Sequence, residues 1–277
     1  MTFEKIVGLL PAAGQGSRIS PLPMSKELFP IGFQSMAGRG VRPKVACQYL
    51  LEAMGRAGVQ ESFLILRPGK WDIPAYFGDG SQLGMRLAYL TVHVPFGVPF
   101  SLNQAYPFVK DAVVAMGFPD ILFSPGDAYV KLLERLHNSQ ADVVLGLFPT
   151  DQPDKVGLVE FDQAGVVSGI YEKSQLTHLR YMWAMAVWRP RFTEFLHQTV
   201  EAKLQKLIGD QSPVLMTQMP EYVETPIGDV IVGAIANNLR VEAIPFETGQ
   251  YLDIGTPENL IRAVYNHDKP ADAENDR

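Results

Sequence analysis

Four short runs with almost no polar residue constrain this chain most: IVGLL from Ile6, SFLIL from Ser62, AVVAM from Ala112 and ADVVLGLF from Ala141. A strand wetted on one side alternates apolar and polar residues, whereas a run apolar at nearly every position needs cover on both faces. Between these runs lie stretches of helical period. Ala46, Leu50, Ala53, Met54 and Ala57 share one helical face, and Tyr129, Leu132, Leu133 and Leu136 share another. Strands alternating with helices predict an α/β fold with a doubly wound, mostly parallel sheet. Pro43 suits the first turn of the earlier helix and Gly58 its C-terminal cap, which leaves a long loop between that helix and the Ile6 strand.

After Thr150 the pattern changes. VGLVEFDQAGVVSGIYEK reads as an antiparallel hairpin turning through Asp162 to Gly165, and YMWAMAVWRP as a further strand, so a smaller α+β region is expected beside the main sheet. Ile227, Val230, Ile231, Ala234 and Ile235, behind Pro226, predict a helix that returns the chain to the main body. A strand, LRVEAIPF, and a last helix opened by Thr256 and Pro257 follow, and the polar KPADAENDR is expected to fray.

Of the 277 residues, 47% are hydrophobic, enough to bury a full core, and the formal net charge is −6. That balance argues against nucleic acid as a partner, because binding to a phosphate backbone needs a broad excess of Lys and Arg. Any anion site must therefore be local. The single cysteine, Cys47, excludes an internal disulfide and a cysteine-built zinc cluster, and a reducing cytoplasm is the expected location. The first apolar run is too short for the hydrophobic part of a secretory signal, no later run approaches a membrane span, and no membrane partner is expected.

The local anion site is sought in LLPAAGQGSRISPLPMSKELFPIG, residues 9–32. A bare glycine pair after a strand is most often an ordinary turn. A dinucleotide fingerprint would need a third glycine where Ile19 stands and a helix where Pro21 and Pro23 block one, which removes an NAD-dependent oxidoreductase. The Gly-Lys-Ser/Thr of a P-loop is absent as well. What is left is a glycine-rich loop whose backbone amides can approach a triphosphate, with Arg18 and Lys26 on the same loop.

The stretch Ala13-Gly14-Gln15-Gly16-Ser17-Arg18, Pro21-Leu22 and Lys26-Glu27-Leu28-Phe29-Pro30 resembles the signature of the sugar-1-phosphate nucleotidyltransferases. Within that family, Ser25-Lys26 is similar to the glucose-1-phosphate thymidylyltransferases, although Ser17 stands where threonine is usual. FGDGSQLGMRLAY, MGFPD, VGLVEFD, YEKS and GQYLDIGTPENL resemble further family segments in the family's order, so the likeness runs over nearly the whole chain. Two departures stand out. Asp120 follows Phe118-Pro119 where the family has Gly-Asp directly after the strand, and Ser101-Leu102-Asn103-Gln104-Ala105 replaces a Gly-Leu-Ala-Gln-Ala base-holding segment.

The resemblance implies a Rossmann-like fold and the attack of a sugar 1-phosphate on the α-phosphorus of a nucleoside triphosphate. Residues 1–150 would hold the nucleotide, 151–225 the sugar phosphate, and 226–267 would return to the core with a second metal carboxylate, leaving 268–277 as the tail. Arg18 and Lys26 become the catalytic cations. Ala13, Gly14, Gly16, Ser17, Ser101 and Gln104 would contact the nucleotide, Gly157, Glu172, Lys173 and Trp183 the sugar phosphate, and Asp120 and Asp253 a Mg²⁺ ion. Asp127 is expected only to cap a helix. Glucose 1-phosphate with dTTP or UTP is the substrate pair implied, and a homo-oligomer is compatible with it. The alternative is a non-catalytic nucleotide-sugar-binding or regulatory protein on the same fold, motivated by the altered GFPD and SLNQA segments.

Overall fold

The computed structural model describes residues 5–36, 38, 40–93, 96–172, 178–208 and 224–266. In chain order the elements are β1 (Ile6–Ala12), β2 (Pro30–Met36), β3 (Gly40–Val45), α1 (Ala46–Arg56), β4 (Glu61–Leu66), α2 (Asp72–Phe77) and β5 (Arg86–Thr91). Next come α3 (Val98–Asn103), α4 (Tyr106–Val109), β6 (Val113–Gly117), β7 (Ile121–Ser124), α5 (Ala128–Asn138) and β8 (Val143–Pro149). The remainder is β9 (Gly157–Phe161), β10 (Val167–Glu172), β11 (Tyr181–Trp188), α6 (Pro190–Ile208), α7 (Ile227–Ala236), β12 (Val241–Pro245), β13 (Gln250–Asp253) and α8 (Pro257–Asn266).

Nine strands form one sheet, in the order β10-β9-β11-β6-β1-β4-β5, with β8 and β12 continuing from β11. β5, β4, β1 and β6 are parallel, and β8, β12 and β9 point the same way, while β11 and β10 oppose them. Alternate side chains explain why the strands read as unbroken apolar runs. Val7, Leu9, Phe63, Ile65, Val114 and Met116 bury against one layer with Phe192, Leu196, Val230 and Ile231 of α6 and α7. Leu10, Leu64, Leu66, Val113 and Ala115 bury on the other with Leu50, Leu51 and Met54 of α1 and Tyr129 and Leu132 of α5. Cys47 is a buried free thiol in that second layer. With both faces covered, neither side of a central strand needs polar residues.

Pro43 is not in a helix. It pairs with Phe33 in the β2–β3 hairpin, and α1 begins three residues later at Ala46. The expected long loop therefore contains a two-stranded ribbon whose Phe33 and Val41 are exposed. Burial is confined to the base of the ribbon, at Ile31 and Gly32 of β2 and Val45 of β3, which is too short a stretch to leave an alternating signature, and an edge strand tolerates proline. The β9–β10 hairpin forms as expected, but it extends the main sheet, and β11 lies inside that sheet between β6 and β8. Asp127 takes the position before α5, yet its carboxylate meets Lys131 at 3.0 Å and makes no capping hydrogen bond. No helix among the described residues is long and apolar enough to cross a membrane.

Candidate active site

β1 and β4 run in register to their carboxyl ends, Ala12 opposite Leu66, so the glycine loop and the segment after β4 leave the sheet side by side. In an open α/β sheet, ligands gather in the crevice outside such ends. Two cavities open there. Ala13, Gly14, Gln15, Lys26, Ser101 and Asp120 line one of about 470 Å³. Gly16, Ser25 and Lys26 line part of another of about 530 Å³. Gly16 turns the chain at φ 65° into the short Ser17–Ile19 helical turn, a left-handed conformation that glycine adopts without strain. A larger cavity of about 820 Å³ is lined by residues of β7 and β13, Asp253 among them.

Lys26 starts a second helical turn, Lys26–Leu28, and its neighbours fix it from both sides. Ser25 donates to Asp72 through its backbone N–H (2.6 Å) and its hydroxyl (2.7 Å). Glu27, fully buried, accepts from the Lys70 ammonium at 2.6 Å. Between these ties the largely buried Lys26 ammonium donates to Asp120. Burial alone would lower the lysine pKa, but the Asp120 carboxylate, with smaller help from Glu27 and Asp253, holds it above its ordinary value. The pairing with Asp120 thus favours the charged form of Lys26.

Asp120 reaches the site although Phe118-Pro119 delays it. β7 begins at the next residue and pairs antiparallel with β13, setting Ile121 opposite Asp253, and the Ile254 N–H donates to the Asp120 carbonyl at 3.0 Å. Two residues far apart in sequence are thereby joined by one ribbon. Burial raises the Asp253 pKa and the Asp120 charge raises it further, against the Gly255 N–H (2.7 Å), Lys26 and Arg18. Arg18 approaches Asp253 at 3.7 Å with its side chain 64% exposed, a weak pair by itself. Beyond Asp253, Thr256 caps α8 by accepting from the Asn259 N–H at 3.3 Å.

On the other flank, Glu172 ends β10 with its carboxylate against two glycines. A Cβ on Gly157 would lie 2.8 Å from Glu172 Oε1 and 3.2 Å from Trp183 Nε1, and one on Gly228 would lie 2.5 Å from the same carboxylate oxygen. Trp183 is buried, its ring 6.1 Å from that of Phe118, which lines the 470 Å³ cavity. Lys173 lies outside the described residues. Ser17 is exposed on the glycine loop, and Gln104 is exposed at the end of α3, outside the lining of either cavity that Lys26 borders. Gly228 and the Glu27–Lys70 and Ser25–Asp72 ties escape a linear reading, since each joins residues that only folding brings together.

The sheet with helices on both faces and a crevice at its strand ends is a Rossmann-like α/β fold. Nucleotidyl transferase, as a family model, matches residues 7–269, and the chain belongs to that family. It is 27% identical over 261 residues to a glucose-1-phosphate thymidylyltransferase of Mycolicibacterium smegmatis, covering 92% of this chain and 80% of that one. The low-salt glycan biosynthesis nucleotidyltransferase Agl11 of Haloferax volcanii is also 27% identical over 261 residues, 92% of this chain. This chain spans 64% of the Haloferax protein's length, less than two thirds. A UDP-glucose pyrophosphorylase solved with UDP-glucose superposes with a TM-score of 0.72 at 18% identity, over 95% of this chain and 98% of that one.

Proposed function

We propose that this chain is a Mg²⁺-dependent sugar-1-phosphate nucleotidyltransferase, with glucose 1-phosphate and dTTP or UTP as substrates. A phosphate oxygen of the sugar 1-phosphate forms a bond to the α-phosphorus, the bond from that phosphorus to the bridging oxygen breaks, and pyrophosphate leaves. The nucleophile is already an anion, so the protein's task is to bring two polyanions together and stabilise the charge that moves between them. The observation that carries this reading is the meeting of Lys26, Arg18, Asp120 and Asp253 at the strand ends.

Lys26, fixed on both flanks, would bind the α-phosphate region, and Arg18, on its exposed arm, the leaving phosphates through its planar fork. Glu172, in its glycine cradle, would accept sugar hydroxyls, with Lys173 beside it on the sugar phosphate. Ala13, Gly14, Gly16, Ser17, Ser101 and Gln104 complete the proposed nucleotide contacts. The donor set suits the metal: two carboxylate oxygens are hard ligands, and no group of three or more His, Cys, Asp or Glu among the described residues could hold an ion unaided. An ion on Asp120 and Asp253 would take its other oxygens from phosphate, as Mg²⁺ does at triphosphates, and would neutralise developing charge there.

The test is pyrophosphate release measured over a matrix of nucleoside triphosphates and hexose or amino-hexose 1-phosphates, with Lys26→Ala alongside. Turnover with glucose 1-phosphate and dTTP or UTP, falling about 10²-fold or more in Lys26→Ala, is expected. Silence across the matrix would overturn this function in favour of a binding protein.

A further inference from the structure

Arg67 follows the last residue of β4, and its neighbours hold it at the junction of the two cavities. It lines both, as do Gln15, Lys26 and Pro68. The segment Arg67-Pro68-Gly69-Lys70 closes a β-turn, with the Lys70 N–H donating to the Arg67 carbonyl at 3.3 Å and Gly69 at φ 97°. Proline second and a positive-φ glycine third are what a type II turn selects. Lys70, the last residue of the turn, and Asp72 just after it make the contacts to Glu27 and Ser25 that bracket Lys26. The turn carrying Arg67 is thereby pinned to the loop carrying Lys26 on both sides of that lysine.

The charges of this corner are not all neutralised. Of the three Lys and Arg side chains lining the two cavities, Lys26 meets Asp120 and Lys70 meets Glu27, whereas the half-buried Arg67 has no hydrogen-bonded or ion-paired side-chain partner among the described residues. Glu27, Asp72, Asp120 and Glu224 line the same cavities, and none of them is paired with Arg67. A half-buried arginine on a turn tied to its neighbours, bordering both cavities without an ion pair of its own, is arranged for an anion from outside.

We propose that Arg67 is a further substrate-binding residue that grips the β- and γ-phosphates of the triphosphate, and hence the departing pyrophosphate. This rests on the nucleotidyl-transfer reading. Lys70 and Asp72 act as positioning residues, setting the spacing of Arg67 from Lys26 so that one polyphosphate meets both. The ligand class is an inorganic or nucleoside polyphosphate, bound through terminal oxygens that a guanidinium can hold two at a time.

Calorimetric titration of tripolyphosphate, without metal, into the intact wild-type protein, Arg67→Gln and Arg67→Lys tests this apart from turnover. Arg67→Gln should weaken tripolyphosphate binding about tenfold or more, Arg67→Lys should recover part of it, and glucose 1-phosphate binding and unliganded thermal unfolding should not change. In the reverse reaction the KM for pyrophosphate should rise more than that for the nucleotide sugar. Wild-type tripolyphosphate affinity in Arg67→Gln, or a loss confined to glucose 1-phosphate, would overturn the proposal, as would failure of the wild type to bind tripolyphosphate. A protein that binds tripolyphosphate through Arg67 yet turns over no substrate pair would uphold the phosphate grip and refute the reaction.

Discussion

Replacing Lys70 by methionine keeps most of the side-chain volume while removing the charge that faces Glu27. The Glu27 side chain is 2% exposed and that of Lys70 10%, and the Lys70 ammonium sits 2.6 Å from Glu27 Oε1. The second oxygen, Oε2, is buried without a hydrogen-bond partner. Loss of Lys70 therefore leaves a carboxylate out of water with neither oxygen bonded to a side chain, and breaking a buried pair from one side costs about 3–5 kcal/mol. Against a total stability of about 5–15 kcal/mol this is a large fraction. Burial already pushes the Glu27 pKa up, with Lys70 pulling it back. For an acid whose folded pKa exceeds its unfolded value, the ionised form is the disfavoured one when folded. The penalty is full above the folded pKa and disappears below the unfolded one. Without Lys70 the folded pKa climbs further, so the deficit of Lys70→Met should be largest near neutral pH and shrink as pH falls towards the carboxylate range. Urea unfolding at neutral pH and at about pH 5 reads both quantities, and the apolar pair Glu27→Leu with Lys70→Met should recover most of the loss. A Lys70→Met protein with the wild-type urea midpoint and slope at neutral pH, or a deficit that grows on acidification, would refute this account.

Arg18→Lys should stay well below wild-type turnover, because a point charge does not reproduce a two-pronged phosphate contact; full rescue in a pyrophosphate-release assay would leave only net charge at that position. Asp253→Asn should abolish Mg²⁺-dependent turnover. Its unfolded and folded states then differ by one fewer unfavourable ionisation, so thermal unfolding at neutral pH should be unchanged or slightly later. Asp127→Asn, on an exposed helix start away from both cavities, should leave kinetics intact, and the reverse pattern would move the metal to the other carboxylate. Gly157→Ala displaces the Glu172 carboxylate from its cradle and should raise the KM for sugar 1-phosphate severalfold with little change for the nucleotide; equal effects on both substrates would place Glu172 elsewhere.

The central sheet was legible in the sequence because burial on both faces removes polar residues from a strand, and IVGLL or ADVVLGLF has few other places to go. The glycine loop with Arg18 and Lys26 was legible for a related reason: local backbone demands and fixed charges are written in adjacent residues. The β2–β3 ribbon was not, since only its base, with Ile31 and Val45, is buried, and beyond it Phe33 and Val41 are exposed, so no period is imposed along its length. Neither was the company Lys26 keeps. Asp120, Asp253, Lys70 and Asp72 reach it through strand pairing and a turn, and no spacing along the chain encodes which carboxylate meets which cation. Local sequence determines what each segment can become and which chemistry it carries. Which charges end up opposite one another, and that Arg67 borders both cavities without an ion pair among the described residues, was decided only by the tertiary fold, because electrostatic pairing depends on distance through space and on burial, and both exist only once the sheet has formed.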